Sequence, residues 1–381
     1  MESDLRRYYD LFAGAFTLQA LEGPLPSQHH TAIAQTLGRA DGILGLIRHD
    51  VQAPQPPRAS QAAAAEPTQP ALMILAYTAG ASAALVDRRL YLPSAWFSAE
   101  TSGRRRRWAL PATATYASAP ALGEEMVRYA IAAQQLPHRW VAIPEACGVS
   151  LAFLDELHSQ DKYFLVEIPR QTPARRYPSK AASDPERARP LAAPAPQRVD
   201  TLALRLPANL WRPYTFPEVP AAGHFEMAAQ RVFLPTAGGP LREEWLIARR
   251  PPGLFQPNQW CYYRSNAPAK TPLPLLARLT VWHAPVTAAL AECHSTLPGA
   301  RAAGQTWANW HQQTALAFVA HSCLSHLRRQ YGAAAPALTL AQMQRMLQLI
   351  LPQADFDAGV LAAEIRRIQR QNLAAYLSQR D

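Results

Sequence analysis

The sequence predicts an α/β protein with helical ends. Two observations predict it. Short apolar runs such as "ALMILAYTAG" (71–80) and "KYFLVEIP" (162–169) read as buried strands, and they are separated by amphipathic segments such as "APALGEEMVRYAIAAQQLP" (119–137). Their order from 71 to 168 is strand, strand, helix, strand, helix, strand, which is the pattern of an α/β core. The chain has 381 residues, of which 49% are hydrophobic, enough for a sizeable core and for more than one structural unit.

The elements follow in order. Residues 1–50 read as a helical N-terminal segment, because Tyr8, Leu11, Phe12, Phe16, Leu18 and Leu21 recur at helical spacing. Residues 51–70, "VQAPQPPRASQAAAAEPTQP", are rich in Pro, Gln and Ala and read as a linker. Residues 71–168 form the first part of the core, opening with a hairpin in which "AALVDRRLYLP" (83–93) pairs with the preceding strand across a Gly-containing turn. "HRWVAIPEACG" (138–148) reads as a buried strand and turn, and "SLAFLDELHSQ" (150–160) as a short helix. Residues 169–200 are Pro-rich and basic and read as an exposed linker or loop. Residues 201–274 carry β-like runs, counted to include "VDTLALRLP" (199–207), "EEWLIARRP" (243–251) and "QWCYYRSN" (259–266). Residues 275–381 read as helical, led by "WANWHQQTALAFVAHSCLSHLRRQ" (307–330) and "AAEIRRIQRQNLAAYLSQR" (362–380).

Net charge is +10 and the pI is about 9.7. Only Lys162, Lys180 and Lys270 are lysines, so arginine carries nearly all the positive charge. Arginine clamps phosphate bidentately and stacks on bases, which suits nucleic acid. A GC-rich codon bias would also raise Arg, Ala and Pro together, but it does not explain the excess of base over acid. The four cysteines, Cys147, Cys261, Cys293 and Cys323, form no C-x-x-C pair, which argues against zinc. His311, His321 and His326 share one predicted helix, but the 321-to-326 spacing does not put two ligands on one face. No G-x-S-x-G elbow or phosphate-cradling Gly motif occurs. The charged "MESDLRRYYDLF" start is unlike a signal peptide, and no run of about 18 apolar residues would span a membrane. The expectation is a soluble, cytoplasmic protein with reduced thiols.

The chain resembles the DDE transposases of bacterial insertion sequences, also called DDE superfamily endonucleases. "ILAYTAGASAALVDRRLYLPSAW" (74–96) repeats that family's strand followed by "DRxLYLPxxW", with Asp87, Arg88, Tyr91, Pro93 and Trp96 in place. "RWVAIPEACG" is similar to "WVxaDxxYG", and "EEWLIARRP" to a tryptophan strand ending in paired arginines, here Arg249 and Arg250. "TWANWHQQTALAFVAHSCL" and "ALTLAQMQRMLQLIL" resemble two later helices. The likeness covers roughly residues 71–168 and 240–350. It implies a ribonuclease H-like core with a β-rich insertion, three carboxylates, two Mg²⁺ ions and a nucleic-acid substrate. Mg²⁺ wants hard oxygen ligands, and two metals clamp the attacking and leaving oxygens of a phosphodiester.

The three acid positions depart from that pattern. "DGILGLIRHDVQ" (41–52) matches the first-acid strand and puts Ile47 at the acid, with Asp50 three residues on. Pro144 stands at the second acid, followed by Glu145, and Cys147 at the following Tyr. In "VWHAPVTAALAECHSTL" (281–297) the third acid falls on Ala291, beside Glu292, or on Pro285. Asp87 belongs to the "DRxLYLP" motif rather than to the metal carboxylates. A structural pairing with arginine and a catalytic role both stand as readings of it.

The resulting expectation is a transposase-derived DNA- or RNA-binding protein without nuclease activity and without a cofactor, acting as a binding factor or as a subunit of a nucleoprotein complex. One alternative is a Mg²⁺-dependent enzyme using displaced Asp50, Glu145 and Glu292. Another is a scaffold that contacts only protein. Candidate nucleic-acid contacts are Arg104, Arg105, Arg106, Arg107 and Trp108 in "GRRRRWALP" (103–111), Arg175 and Arg176 in "PARRYPSK" (173–180), and Arg249 and Arg250. The 103–111 run also reads as a solvated basic loop, the 173–180 run as part of an exposed basic stretch, and "EIRRIQRQ" (364–371) as an ordinary amphipathic helix face.

Overall fold

The computed structural model describes residues 24–50 (apart from Pro26), 70–98, 102–176, 195–296 and 306–331, with isolated helical positions beyond. The expected helix over residues 1–23, the linker at 51–69, most of the basic Pro-rich stretch and the final helix lie outside the described residues.

One mixed sheet organises the fold. Its strands are β1 (Ile43–Asp50), β2 (Ala71–Ala79), β3 (Ser82–Tyr91), β4 (Trp140–Ile143), β5 (Tyr163–Ile168), β8 (Arg212–Thr215), β9 (His224–Leu234), β10 (Arg242–Arg250) and β11 (Cys261–Ser265). The two-residue strands β6 (Pro173–Ala174) and β7 (Gln197–Arg198) pair separately. The spatial order is β3-β2-β1-β4-β5-β11-β10-β9-β8. β1, β2 and β3 pair antiparallel, whereas β1, β4 and β5 run parallel. That five-stranded half is a ribonuclease H-like core. The insertion extends the same sheet, because β11 pairs antiparallel with β5.

Helices cover both faces of the sheet. They are α1 (Ser27–Leu37), α2 (Ser102–Arg107), α3 (Ala119–Ala133), α4 (Leu151–Ser159), α5 (Val199–Leu204), α6 (Leu273–Leu279), α7 (His283–Thr296) and α8 (Trp307–Tyr331). Leu44, Leu46, Val141, Ile143, Phe164 and Val166 face α1, α3 and α4 in one core. Trp140, Ala142 and Leu165 face α6, α7 and α8 in the other, with Trp282, Val286, Leu290, Trp310 and Phe318. Covering both faces explains why the first eight residues of β2 are all buried and show no polar alternation. Ser118 and Ser150 cap α3 and α4, their hydroxyls accepting from the Ala121 and Phe153 N–H groups.

Three sequence expectations change. Residues 43–50 are not helical but form the central strand β1, so the core begins before the linker rather than at 71. "ILGLI" is a short apolar run buried on both faces, and periodicity cannot separate such a strand from a buried helix. "VDTLALRLP" is not a strand. Val199, Leu202, Ala203 and Leu206 are buried at helical spacing, and they form α5 and its continuation. The four arginines of 104–107 lie on the short helix α2 rather than in a loop.

A candidate nucleic-acid cleft at the strand ends

Cross-strand register defines the site. β1 and β4 align Gly45 with Ala142, and β4 and β5 align Ile143 with Val166. Continuing each register carries Ile47, Pro144 and Glu167 toward the same end of the parallel strands. Across the insertion, Glu167 pairs with Tyr263, and Cys261 with Arg249. These residues line one cleft of about 560 Å³ with Arg48, Arg250, His224, Trp282, His283 and Thr287.

A tight packing contact places the helical wall of the cleft. A Cβ on Gly45 would sit 1.9 Å from Cζ3 of Trp282, so only glycine lets this indole cross β1. Trp282 immediately precedes α7, whose first turns present His283 and Thr287 to the cleft.

The cleft is rich in cations and poor in carboxylates. Glu167 is the acid among its lining residues, against Arg48, Arg249 and Arg250. Arg48 pairs with Asp50 at 3.0 Å. Arg250 pairs with Glu226 at 2.7 Å and lies over the Trp211 ring at 3.9 Å. Arg249 lies over the Phe225 ring at 4.3 Å and donates to the Thr280 carbonyl at 3.0 Å and the Ala222 carbonyl at 3.4 Å. Burial, and then the charge of Arg249, hold His283 below the usual histidine range, so its imidazole is neutral at pH 7. Burial, followed by the nearby Glu167 charge, pushes the Cys261 thiol up to about 11. It is therefore protonated at neutral pH and is no thiolate nucleophile.

Two Mg²⁺ ions do not fit this set of residues. They need several carboxylate oxygens, whereas Ile47 and Pro144 offer none at the first two acid positions. Among the described residues no group of three His, Cys, Asp or Glu side chains is placed to hold a metal ion.

The sequence candidates are dispersed. Asp50 lies at the end of β1, bound to Arg48. Glu145 opens a single 3₁₀ turn after β4, and its N–H donates to Glu167 Oε2 at 3.3 Å. Burial and the charge of Glu167 hold the Glu145 carboxyl above the usual range. Glu292 lies on α7 turned to α8, where it meets His321 Nε2 at 3.6 Å and Arg328 at 3.3 Å. Those partners, His321 first, hold it below the usual range. Pro285 lines a different pocket, with Arg39 and Leu279. The structure thus does not gather Asp50, Glu145 and Glu292. Sequence reasoning missed Glu167, although the alternation Tyr163, Leu165, Glu167 put one acid on the cleft face of β5.

Asp87 lies far from solvent, 1% exposed, on edge strand β3. Its Oδ1 accepts from Leu25 N at 3.1 Å and from Arg88 Nη1 at 3.4 Å, and its Oδ2 accepts from Arg89 Nη1 at 3.0 Å. Arg88, wholly buried, reaches the His311 carbonyl at 3.3 Å. The Asp87–Arg88–Arg89 cluster therefore ties the edge of the sheet to the segment before α1 and to α8. Tyr91 and Leu92 are buried beside it, Pro93 precedes a 3₁₀ turn, and Trp96 in that turn packs edge-on against Trp108 at 5.1 Å.

Among the described residues, none of the remaining candidate arginines lines the cleft. Arg106 and Arg107 are exposed on α2, and Arg105 lies 5.8 Å from the Phe97 ring centre. Arg104 is on the same helix. Arg175 pairs through its backbone with Phe233, and Arg176 is exposed.

Comparison with known proteins agrees with this architecture. Residues 65–219 match a family model described as DDE superfamily endonuclease. This chain is DDE-transposase-like. The matched segment runs from just before β2 through β8, so it contains the Asp87 motif, Pro144, Glu145 and Glu167. It begins after β1, the strand that carries Ile47. A search of curated proteins gave no match. No helix among the described residues is long and apolar enough to cross a membrane.

Proposed function

We propose that this protein binds nucleic acid through the cleft without cutting it, as a transposase-derived binding factor or as a subunit of a nucleoprotein complex. One observation carries the reading. At the strand ends where a DDE enzyme keeps its metal carboxylates, this chain presents Ile47, Pro144 and a single Glu167 among Arg48, Arg249 and Arg250. Such a surface attracts phosphates electrostatically and lacks the ligands for two-metal hydrolysis. The exposed Arg106, Arg107 and Arg176 add positive charge for longer nucleic acids.

The test is binding of purified protein to labelled duplex and single-stranded DNA and RNA across a salt series, with Mg²⁺ or EDTA. Binding that weakens steeply with salt, is indifferent to Mg²⁺ and leaves the strand intact supports the proposal. Metal-dependent cleavage favours the enzyme reading, with Glu145 and Glu167, neighbours at 3.3 Å through the Glu145 N–H, as its first candidates. Absence of binding to any strand at low salt turns the reading toward a protein-only scaffold.

A further inference from the structure

Of the three cleft arginines, Arg249 alone has no carboxylate partner among the described residues, since Arg48 is paired with Asp50 and Arg250 with Glu226. A partly buried cation without a counter-charge is costly unless an anion completes it. Its guanidinium is also held in a fixed pose. The Thr280 and Ala222 carbonyls take one N–H from each terminal nitrogen, and the Phe225 ring covers one face at 4.3 Å. Of the five guanidinium N–H donors, two are thus engaged and three remain for a ligand. A planar fork of that kind matches two oxygens of one phosphate.

We infer that Arg249 is the anchor for a single phosphodiester group of the bound strand. It fixes the register of that strand in the cleft, where a DDE enzyme would set its scissile phosphate with metal ions. This inference rests on the proposed function. Neutral His283 stands beside the same fork and can donate one further hydrogen bond to a phosphate oxygen.

Fluorescence anisotropy of a labelled oligonucleotide tests it, with wild type, Arg249→Gln, Arg249→Lys and Arg205→Gln. Arg205 is exposed on the helical side of the insertion and controls for loss of one charge. The expected result is about tenfold weaker binding for Arg249→Gln, with the salt slope reduced by about one. Arg249→Lys should fail to restore it, and Arg205→Gln should stay within about twofold of wild type. Because Arg249→Gln could disturb packing, oligonucleotides carrying one neutral methylphosphonate at successive positions are read on the wild-type protein as well. One position should cost as much as Arg249→Gln and cost nothing more in that variant. Equal binding by Arg249→Gln and Arg205→Gln, or no single sensitive phosphate, overturns the inference while leaving the proposed function standing. Failure of wild type to bind any strand removes both.

Discussion

Replacing Asp87 by Asn separates a structural role from a catalytic one. The carboxylate is 1% exposed and stands between Arg88, 0% exposed, and Arg89, 8% exposed. Asn keeps an oxygen for the Leu25 N–H but leaves two buried guanidinium groups without their counter-charge. Removing one partner of a buried ion pair costs about 3–5 kcal/mol. The acceptor retained by Asn argues for the lower end, about 3 kcal/mol. Asp87→Ala also orphans the Leu25 N–H, which adds roughly 1–3 kcal/mol. For a chain of this size each kcal/mol lowers Tm by about 1.3 °C, so Asp87→Asn should melt roughly 4 °C lower and Asp87→Ala lower still. Differential scanning calorimetry gives Tm, and anisotropy at a temperature where both variants are folded gives nucleic-acid affinity. A structural role gives a lower Tm with unchanged affinity and unchanged salt slope. A Tm within about 1 °C of wild type would rule out a stabilising role for the buried ion cluster. A normal Tm together with lost nucleic-acid function would return Asp87 to the candidate catalytic residues.

Further predictions follow from the packing and the titrating groups. Gly45→Ala should destabilise by about 1–3 kcal/mol through overpacking against Trp282, read by urea melts, and should weaken nucleic-acid binding by shifting the start of α7. Burial holds His29 and His138 at about 4 against an ordinary 6.5, so the unfolded chain takes up protons first as pH falls. Stability should therefore be full above about pH 6.5 and drop on descending to about pH 4, by up to about 3 kcal/mol for each histidine, checked by urea melts at pH 7 and pH 5. Because the folded Glu145 carboxyl is held above its unfolded value, its ionisation opposes folding above the usual carboxylate range. Glu145→Gln should thus be more stable than wild type at pH 7 and equal to it near pH 3, measured by the same melts.

Legibility of the fold followed the physics of each segment. The hairpin of β2 and β3 was readable because its apolar runs are long, its turn carries a glycine and its motif is distinctive. α3, α4 and α8 were readable from their apolar stripes. β1 was not, since burial on both faces erases the alternation that marks a strand, and the linker separates it from its partner β2. α5 was missed because six residues give too few turns to set helical spacing apart from a buried strand. At the site, matching against the DDE pattern brought Ile47 and Pro144 to positions that the sheet places along one cleft. It could not bring out Glu167, whose meaning depends on the pairing of β5 with β11, a contact nearly a hundred residues distant in sequence. Nor could it separate Arg249 from Arg250. Alternate phases along β10 give one a carbonyl cradle and the other Glu226 with an aromatic stack.

If arginines rather than metal ions hold the nucleic acid in this cleft, the complex needs no divalent cation. Electron paramagnetic resonance of Mn²⁺ titrated into the protein–oligonucleotide complex, with the same samples run on a denaturing gel, tests it most directly. The expected outcome is no more bound Mn²⁺ than the free oligonucleotide takes up, and an intact strand. Two additional Mn²⁺ ions bound per chain, with a nicked strand on the gel, would contradict it.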